Sequence, residues 1–302
     1  MQQLIKILTC IFFLTICNNL AADRKVAEHL QDISVTIKSE SGYTKSEGSG
    51  VLIIRNIEGQ KITFVWTAAH VVDNLRTVRE VIDEDGRPRK VVEFKDAQIV
   101  KELVEAGRRV GEIKMDAAVV KYSNADTGHD LALLMVRAKD YGKEGAGFYL
   151  DKKETIVPIG TQLFHVGSLL GQMGANSMTT GIVSQVGRIM DKVEFDQTTV
   201  TAFPGSSGGG VFLTDGRYVG MLVRGAGEGF NLTVPIRRMI SWADKNDILW
   251  AIDPEEKMPT LGKIKEISVE DAGVSSKTKG KSKNKDFPFL IKTNTLSSEV
   301  SH

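Results

Sequence analysis

Three side chains, Ser207, His70 and Asp130, have types and surroundings suited to nucleophilic attack on a carbonyl. Such chemistry needs an exposed hydroxyl, a base for its proton, a carboxylate to hold the base in one tautomer, and backbone N–H groups aimed at the oxyanion. Ser207 lies in Pro204-Gly205-Ser206-Ser207-Gly208-Gly209-Gly210. The flanking glycines permit backbone conformations that a side chain forbids, and they let a carbonyl approach closely. In such a loop the N–H groups of Gly205 and Ser207 can converge on one oxygen. Flexible linkers share this composition. Here, however, Val200-Thr201-Ala202-Phe203 precedes it and Val211-Phe212-Leu213 follows it, which marks a loop gripped between strands.

The base candidate sits in Trp66-Thr67-Ala68-Ala69-His70-Val71-Val72, delivered by a strand, with two alanines leaving room for another segment to approach. A lone histidine beside an apolar run is more often a structural residue, so His70 gains weight only in combination. Asp130 opens the strand Asp130-Leu131-Ala132-Leu133-Leu134, where burial of a carboxylate is costly unless it is paired. Asp116, before Ala117-Ala118-Val119, is a rival acid, whereas Asp126 in Asn124-Ala125-Asp126-Thr127-Gly128 reads as a turn residue. The order His70, Asp130, Ser207 is a workable one for a hydrolytic triad.

The elements that must position these residues are short and β-branched. From Ile33 to Val234, apolar runs of four to six residues alternate with Gly, Asp and Asn, as in Val51-Leu52-Ile53-Ile54 and Val219-Gly220-Met221-Leu222. That pattern predicts antiparallel strands in barrels or sandwiches, an all-β domain over 23–252. Helices are expected at Asp23–Asp32 and Pro235–Asp247. The charge-dense stretch from 73 to 115, with a hairpin turn at Asp85-Gly86, reads as an insertion and a candidate for regulation or homo-oligomer formation. Residues 253–302 carry alternating lysines and few apolar residues, which predicts a disordered tail with some attraction to anionic surfaces.

The first 22 residues pair Lys6 with the apolar run Ile7–Ile16 and end in Ala21-Ala22. This reads as a secretory signal peptide, or, if retained, a membrane anchor. Both cysteines of the chain, Cys10 and Cys17, fall inside it, so the expected mature protein is exported yet free of disulfides. A net charge of +1 offers no surplus to neutralise a phosphate backbone, which argues against nucleic-acid binding.

The motifs taken together resemble the chymotrypsin-like serine proteases, and within them the HtrA/Deg branch of exported bacterial enzymes. Gly48-Ser49-Gly50-Val51 is similar to the strand before the histidine motif, and Thr67-Ala68-Ala69-His70-Val71-Val72 to that motif. Asp116-Ala117-Ala118-Val119-Val120 and Asp130-Leu131-Ala132-Leu133-Leu134 resemble the paired strands around the acid, a register that assigns the role to Asp130. Gly205-Ser206-Ser207-Gly208-Gly209 resembles the nucleophile loop, and Thr233-Val234-Pro235 the strand leading into a closing helix.

The resemblance implies two packed six-stranded antiparallel β-barrels and a short C-terminal helix, with His70 and Asp130 in the first barrel and Ser207 in the second. It also implies an oxyanion hole from Gly205 and Ser207, protein or peptide substrates, a secreted or periplasmic location, and no metal or organic cofactor. Peptide-binding PDZ domains, common in that branch, have no counterpart in the roughly 50 residues after Ile252. Thr201, six residues before the nucleophile, is expected at the base of the primary pocket. Leu222, Val223, Arg224 and Gly225 are expected to wall it and pair with substrate backbone. With no acid nearby, the expected cleavage follows small or medium apolar residues. The implied activity is a serine endopeptidase acting on exported or unfolded proteins through an acyl-enzyme; the alternative is a non-catalytic, chaperone-like peptide binder on the same fold.

Overall fold

The computed structural model describes residues 25–271, apart from 83, 106, 152–155, 226 and 228. The signal-peptide reading, with Cys10 and Cys17, and the stretch 272–302 lie outside the described residues. A helix over residues 25–32, α1, opens the fold. Strands β1 (Ser34–Ser41), β2 (Thr44–Ile57), β3 (Gln60–Thr67), β6 (Ala97–Glu105), β7 (Arg108–Ser123) and β8 (Leu131–Val136) close into one antiparallel barrel in the order β1-β2-β3-β8-β7-β6. Strands β9 (Gln162–Leu169), β10 (Gly174–Met190), β11 (Val193–Thr198), β12 (Gly210–Leu213), β13 (Tyr218–Gly225) and β14 (Asn231–Pro235) close a second, in the order β10-β11-β14-β13-β12-β9. Both expected barrels are therefore present.

The chain forms barrels because each strand buries the apolar half of its residues inside and closure removes exposed strand edges. The main core is continuous: Ile37, Leu52, Phe64, Trp66 and Leu133 of the first barrel join Phe195, Phe212, Tyr218 and Val223 of the second. A smaller cluster, Leu163, Val183, Val200, Val211 and Leu222, fills the interior of the second barrel. The barrels thus share apolar surface and meet as one packed body.

Two expectations of the chain's organisation are corrected. The stretch 73–115 is only partly an insertion. Strands β4 (Arg76–Ile82) and β5 (Pro88–Phe94) form a separate two-stranded hairpin across Gly86, but β6 pairs with β1 and most of β7 belongs to the barrel. Many of the charges that suggested an insertion sit on the exposed hairpin, while Lys101 of β6 is buried and paired with Asp32.

The tail, too, is ordered through 271. Helix α4 (Leu261–Glu266) buries Ile264, and the following segment docks on β7. There Tyr122 N–H donates to Val269 O at 2.7 Å, Asp271 N–H donates to Tyr122 O at 3.2 Å, and Arg76 makes an ion pair with Glu270. Scattered apolar residues, Ile264 buried and Leu261, Ile267 and Val269 packed on the core, act together with these polar pairs, and so sparse an apolar pattern is why composition pointed to disorder.

Helix α3 (Ile236–Lys245) follows β14 directly, a little shorter than the expected Pro235–Asp247. It buries Ile236, Arg238, Met239, Trp242 and Ala243. Trp242 stacks edge-on against Trp66 of β3 at 5.9 Å and donates to Asp271 Oδ2 at 2.6 Å, so the helix leaves the second barrel and locks onto the first. Among the described residues no helix is long and apolar enough to cross a membrane. Removing a buried ring of this size costs about 3–5 kcal/mol. Trp242→Ala is expected to lower the unfolding free energy by that amount, and Trp242→Phe by much less, as read by chemical unfolding.

Candidate active site

His70 stands in a single helical turn, α2 (Ala69–Val72), at the end of β3. Asp130 precedes β8, which pairs with β3, so sheet register brings the two together from positions 60 residues apart. The Asp130 carboxylate is 2% exposed. It accepts from His70 Nδ1 at 2.9 and 3.0 Å and from the His70 backbone N–H at 3.1 Å. Nδ1 must carry the proton in this arrangement, which leaves Nε2 as the acceptor on the opposite edge of the ring. The rival Asp116 is exposed, and its carbonyl, not its carboxylate, is engaged, by Arg137 N–H at 2.8 Å. Asp126 lies in a turn closed by Asn124 Oδ1, as its surroundings suggested.

Electrostatics tie the two groups together and make His70 the stronger base. Burial opposes charge on His70, but the adjacent Asp130 carboxylate and its hydrogen bond outweigh burial and raise the imidazole above its ordinary value. Burial would raise Asp130 as well; the charge and hydrogen bonds of His70, with a smaller contribution from Arg224, hold it below the usual carboxylate range.

Ser207 is fully buried on the loop between β11 and β12. Gly205 (φ +96°) and Gly208 (φ +87°) adopt left-handed conformations there. A Cβ at Gly205 would fall 2.3 Å from Ser168 O, and one at Gly208 would fall 2.2 Å from Ser49 O, so only glycine fits either place. The Pro204 carbonyl accepts from Leu170 N–H at 2.7 Å. In a trans peptide this turns the Gly205 N–H the opposite way. Among the described residues neither Gly205 N–H nor Ser207 N–H has a backbone acceptor.

The loop is fastened to the other barrel by Ser49 of β2. Ser49 N–H donates to Ser207 O at 2.7 Å. Its hydroxyl donates to Gly205 O and accepts from Ser168 N–H, each at 2.7 Å, and its carbonyl accepts from Thr67 Oγ1 at 2.7 Å. Ser206 Oγ accepts from Phe203 N–H at 3.1 Å inside the loop. Beneath it lies His165, wholly buried, with Nδ1 3.0 Å from Gly210 O; burial drops its pKa to about 4, so it is neutral near pH 7.

Among the described residues, Ser207 Oγ and His70 Nε2 are both buried and neither has a hydrogen-bond partner. They are a donor and an acceptor on facing segments, and such hydrogen bonds in free enzymes commonly tighten only around substrate.

The expected specificity residues divide. Leu222 and Val223 point into the two apolar cores, Gly225 is buried, and Thr201 is exposed, while Arg224 stays at the surface between the barrels with a side chain 16% exposed. The backbone of Leu222 is taken by the nucleophile loop: Gly208 N–H donates to Leu222 O at 2.8 Å, and Leu222 N–H donates to Gly209 O at 3.0 Å. Sequence reasoning missed Ser49 as a fastener, though Gly48-Ser49-Gly50 was visible. It also missed Arg238 of α3, whose guanidinium binds the carbonyls of Glu194 and His129 and so steadies the turn before Asp130.

The sequence pattern of the trypsin-like peptidase domain matches residues 48–221, which take in strands of both barrels together with His70, Asp130 and Ser207. The chain belongs to the trypsin-like peptidase family. A relative from Halomonas elongata, named a probable periplasmic serine endoprotease of DegP-like type, is 31% identical over 216 residues, covering 69% of this chain and 36% of the relative. The chain thus spans about a third of that relative's length.

Two solved structures share the fold. A serine endoprotease from Yersinia pestis superposes with a TM-score of 0.53 at 18% identity, over 75% of this chain and 66% of its own. An HtrA-type protease solved with a tripeptide gives 0.51 at 17% identity, over 75% and 63%. The fold of this peptidase domain is that of the HtrA type.

Ser49→Ala leaves the Gly205 carbonyl and the buried Ser168 N–H without their partner. The expected result is slower labelling of Ser207 by a fluorophosphonate, by up to the ~100-fold that one oxyanion donor is worth. The secondary structure read by circular dichroism should be unchanged.

Proposed function

We propose that this protein is an exported serine endopeptidase that hydrolyses peptide bonds of unfolded or exported proteins through an acyl-enzyme. The observation that carries this reading is the buried Asp130 carboxylate gripping both the ring and the backbone of His70, opposite a serine whose loop is fastened to the same barrel. Ser207 Oγ attacks the substrate carbonyl carbon as its proton passes to His70 Nε2, and the oxyanion is received by the N–H groups of Gly205 and Ser207. Collapse breaks the C–N bond, and the leaving amine takes the proton from His70. Water then attacks the ester with His70 again as base, which frees the acid product and restores Ser207.

The extracytoplasmic location rests on the apolar N-terminal segment and on the periplasmic naming of the Halomonas relative. The reading of substrates as unfolded chains is supported by the placing of His70 and Ser207 on different barrels, a seam along which an extended segment can lie.

Two experiments test the reaction. Ser207→Ala is expected to abolish both cleavage of an unfolded protein and fluorophosphonate labelling; a folded wild-type protein showing neither activity would sink the proposal. The pH profile supplies the second. Protonated His70 cannot accept the serine proton, so kcat/KM should rise with pH through a midpoint above 6.5, because the folded-state imidazole is raised. Asp130→Asn removes the charge that raises it, and should lower both that midpoint and, by about 10⁴, the rate.

A further inference from the structure

Two guanidinium groups flank the ring of Phe195, and they are used differently. Arg238 lies 4.5 Å from the ring centroid and spends its terminal nitrogens on the carbonyls of Glu194 and His129. It is a buried structural cation. Arg224 lies 5.2 Å from the same centroid and reaches between the barrels.

One contact of Arg224 is the Ala125 carbonyl in the turn before Asp130, at 3.4 Å; the other is the Asp191 carboxylate in the β10–β11 turn, at 3.5 Å. Both distances are at the long limit of hydrogen bonding, and the Asp191 side chain is 67% exposed. The cation is held in place by stacking but poorly paired.

Its position is that of the cleft. Arg224 follows Leu222 by two residues on β13, and Leu222 is bonded on both sides to Gly208 and Gly209 of the nucleophile loop. The Arg224 charge is felt by both His70 and Asp130.

We propose that Arg224 is a specificity determinant that selects substrates with an acidic side chain within a few residues of the scissile bond. This rests on the peptidase reading above and adds the chemical class of substrate. A carboxylate in the cleft replaces two long contacts with a bidentate, charge-assisted one. The stacked guanidinium is already ordered, so little entropy is lost on pairing. A basic side chain at the same place is repelled.

The pairing also bears on the chemistry. Arg224 opposes the protonated form of His70, and a bound carboxylate cancels that charge as His70 takes the serine proton. The acidic residue should therefore raise kcat as well as lower KM.

The test uses the full chain and matched peptides in which Glu or Gln is stepped through each position from four before to four after the cleaved bond. The wild type is expected to favour Glu over Gln by about tenfold at one position, the scale of one hydrogen bond to a charged group. Arg224→Gln should lose the preference, while its circular dichroism spectrum stays that of the wild type and shows an intact fold. Arg224→Glu should prefer Lys at that position. Equal cleavage of Glu and Gln peptides at every position, or a preference that survives Arg224→Gln, would overturn the proposal. Failure of the folded wild type to cleave any peptide or to label would instead overturn the peptidase reading, and the proposal with it.

Discussion

The hydrogen bonds that leave Ser49 join the two barrels at the candidate active site. The imidazole belongs to the first barrel and the hydroxyl to the second, so their separation is an inter-barrel distance. Three bonds of 2.7 Å at one buried residue fix the backbone of Ser207, Gly205 and Ser168 relative to β2. Thr67, three residues before His70, closes the set by donating to Ser49 O. The base and the oxyanion donors are thus referred to a single strand. Apolar contact between the barrels supplies adhesion, but contact alone is non-directional and cannot set a distance to tenths of an ångström.

A second constraint is the burial of charge. Asp130 holds a left-handed backbone conformation (φ +55°), unusual for a residue other than glycine. Such strain persists where the surroundings over-determine it. Here they do: the carboxylate is held by the ring and backbone of His70, and the carbonyl of the preceding His129 is held by Arg238. Removing any one of these leaves a buried ion without its full complement of partners.

The candidate triad stood out because its proposed members lie in local motifs: glycines around Ser207, alanines before His70, and an acid at the mouth of an apolar strand. What supports it did not. The partners of Ser49 Oγ lie 156 and 119 residues away, beyond any window of local pattern. Strand β6 was concealed by its charged residues, among them Lys101, which is buried against Asp32 of α1. The strap from Leu261 to Asp271 gave no periodic signal because it is ordered by Arg76, Tyr122 and Trp242, residues far back in the chain. Leu222 and Val223 were expected on the cleft wall, yet β13 runs between two cores and both of its faces are covered. The register shift between Leu222 and Arg224 turns only Arg224 outward.

The placement of the tryptophans gives the molecule an unequal optical voice. All three, Trp66, Trp242 and Trp250, gather where the C-terminal segment meets the first barrel, with Trp66 facing Trp242 and Trp250 against Phe64. The second barrel, which carries the nucleophile, contains none. Intrinsic fluorescence therefore watches one seam of the protein and is blind to the other half. An opening of the second barrel alone would pass in the dark, while undocking of α3 would be reported by every indole the chain possesses.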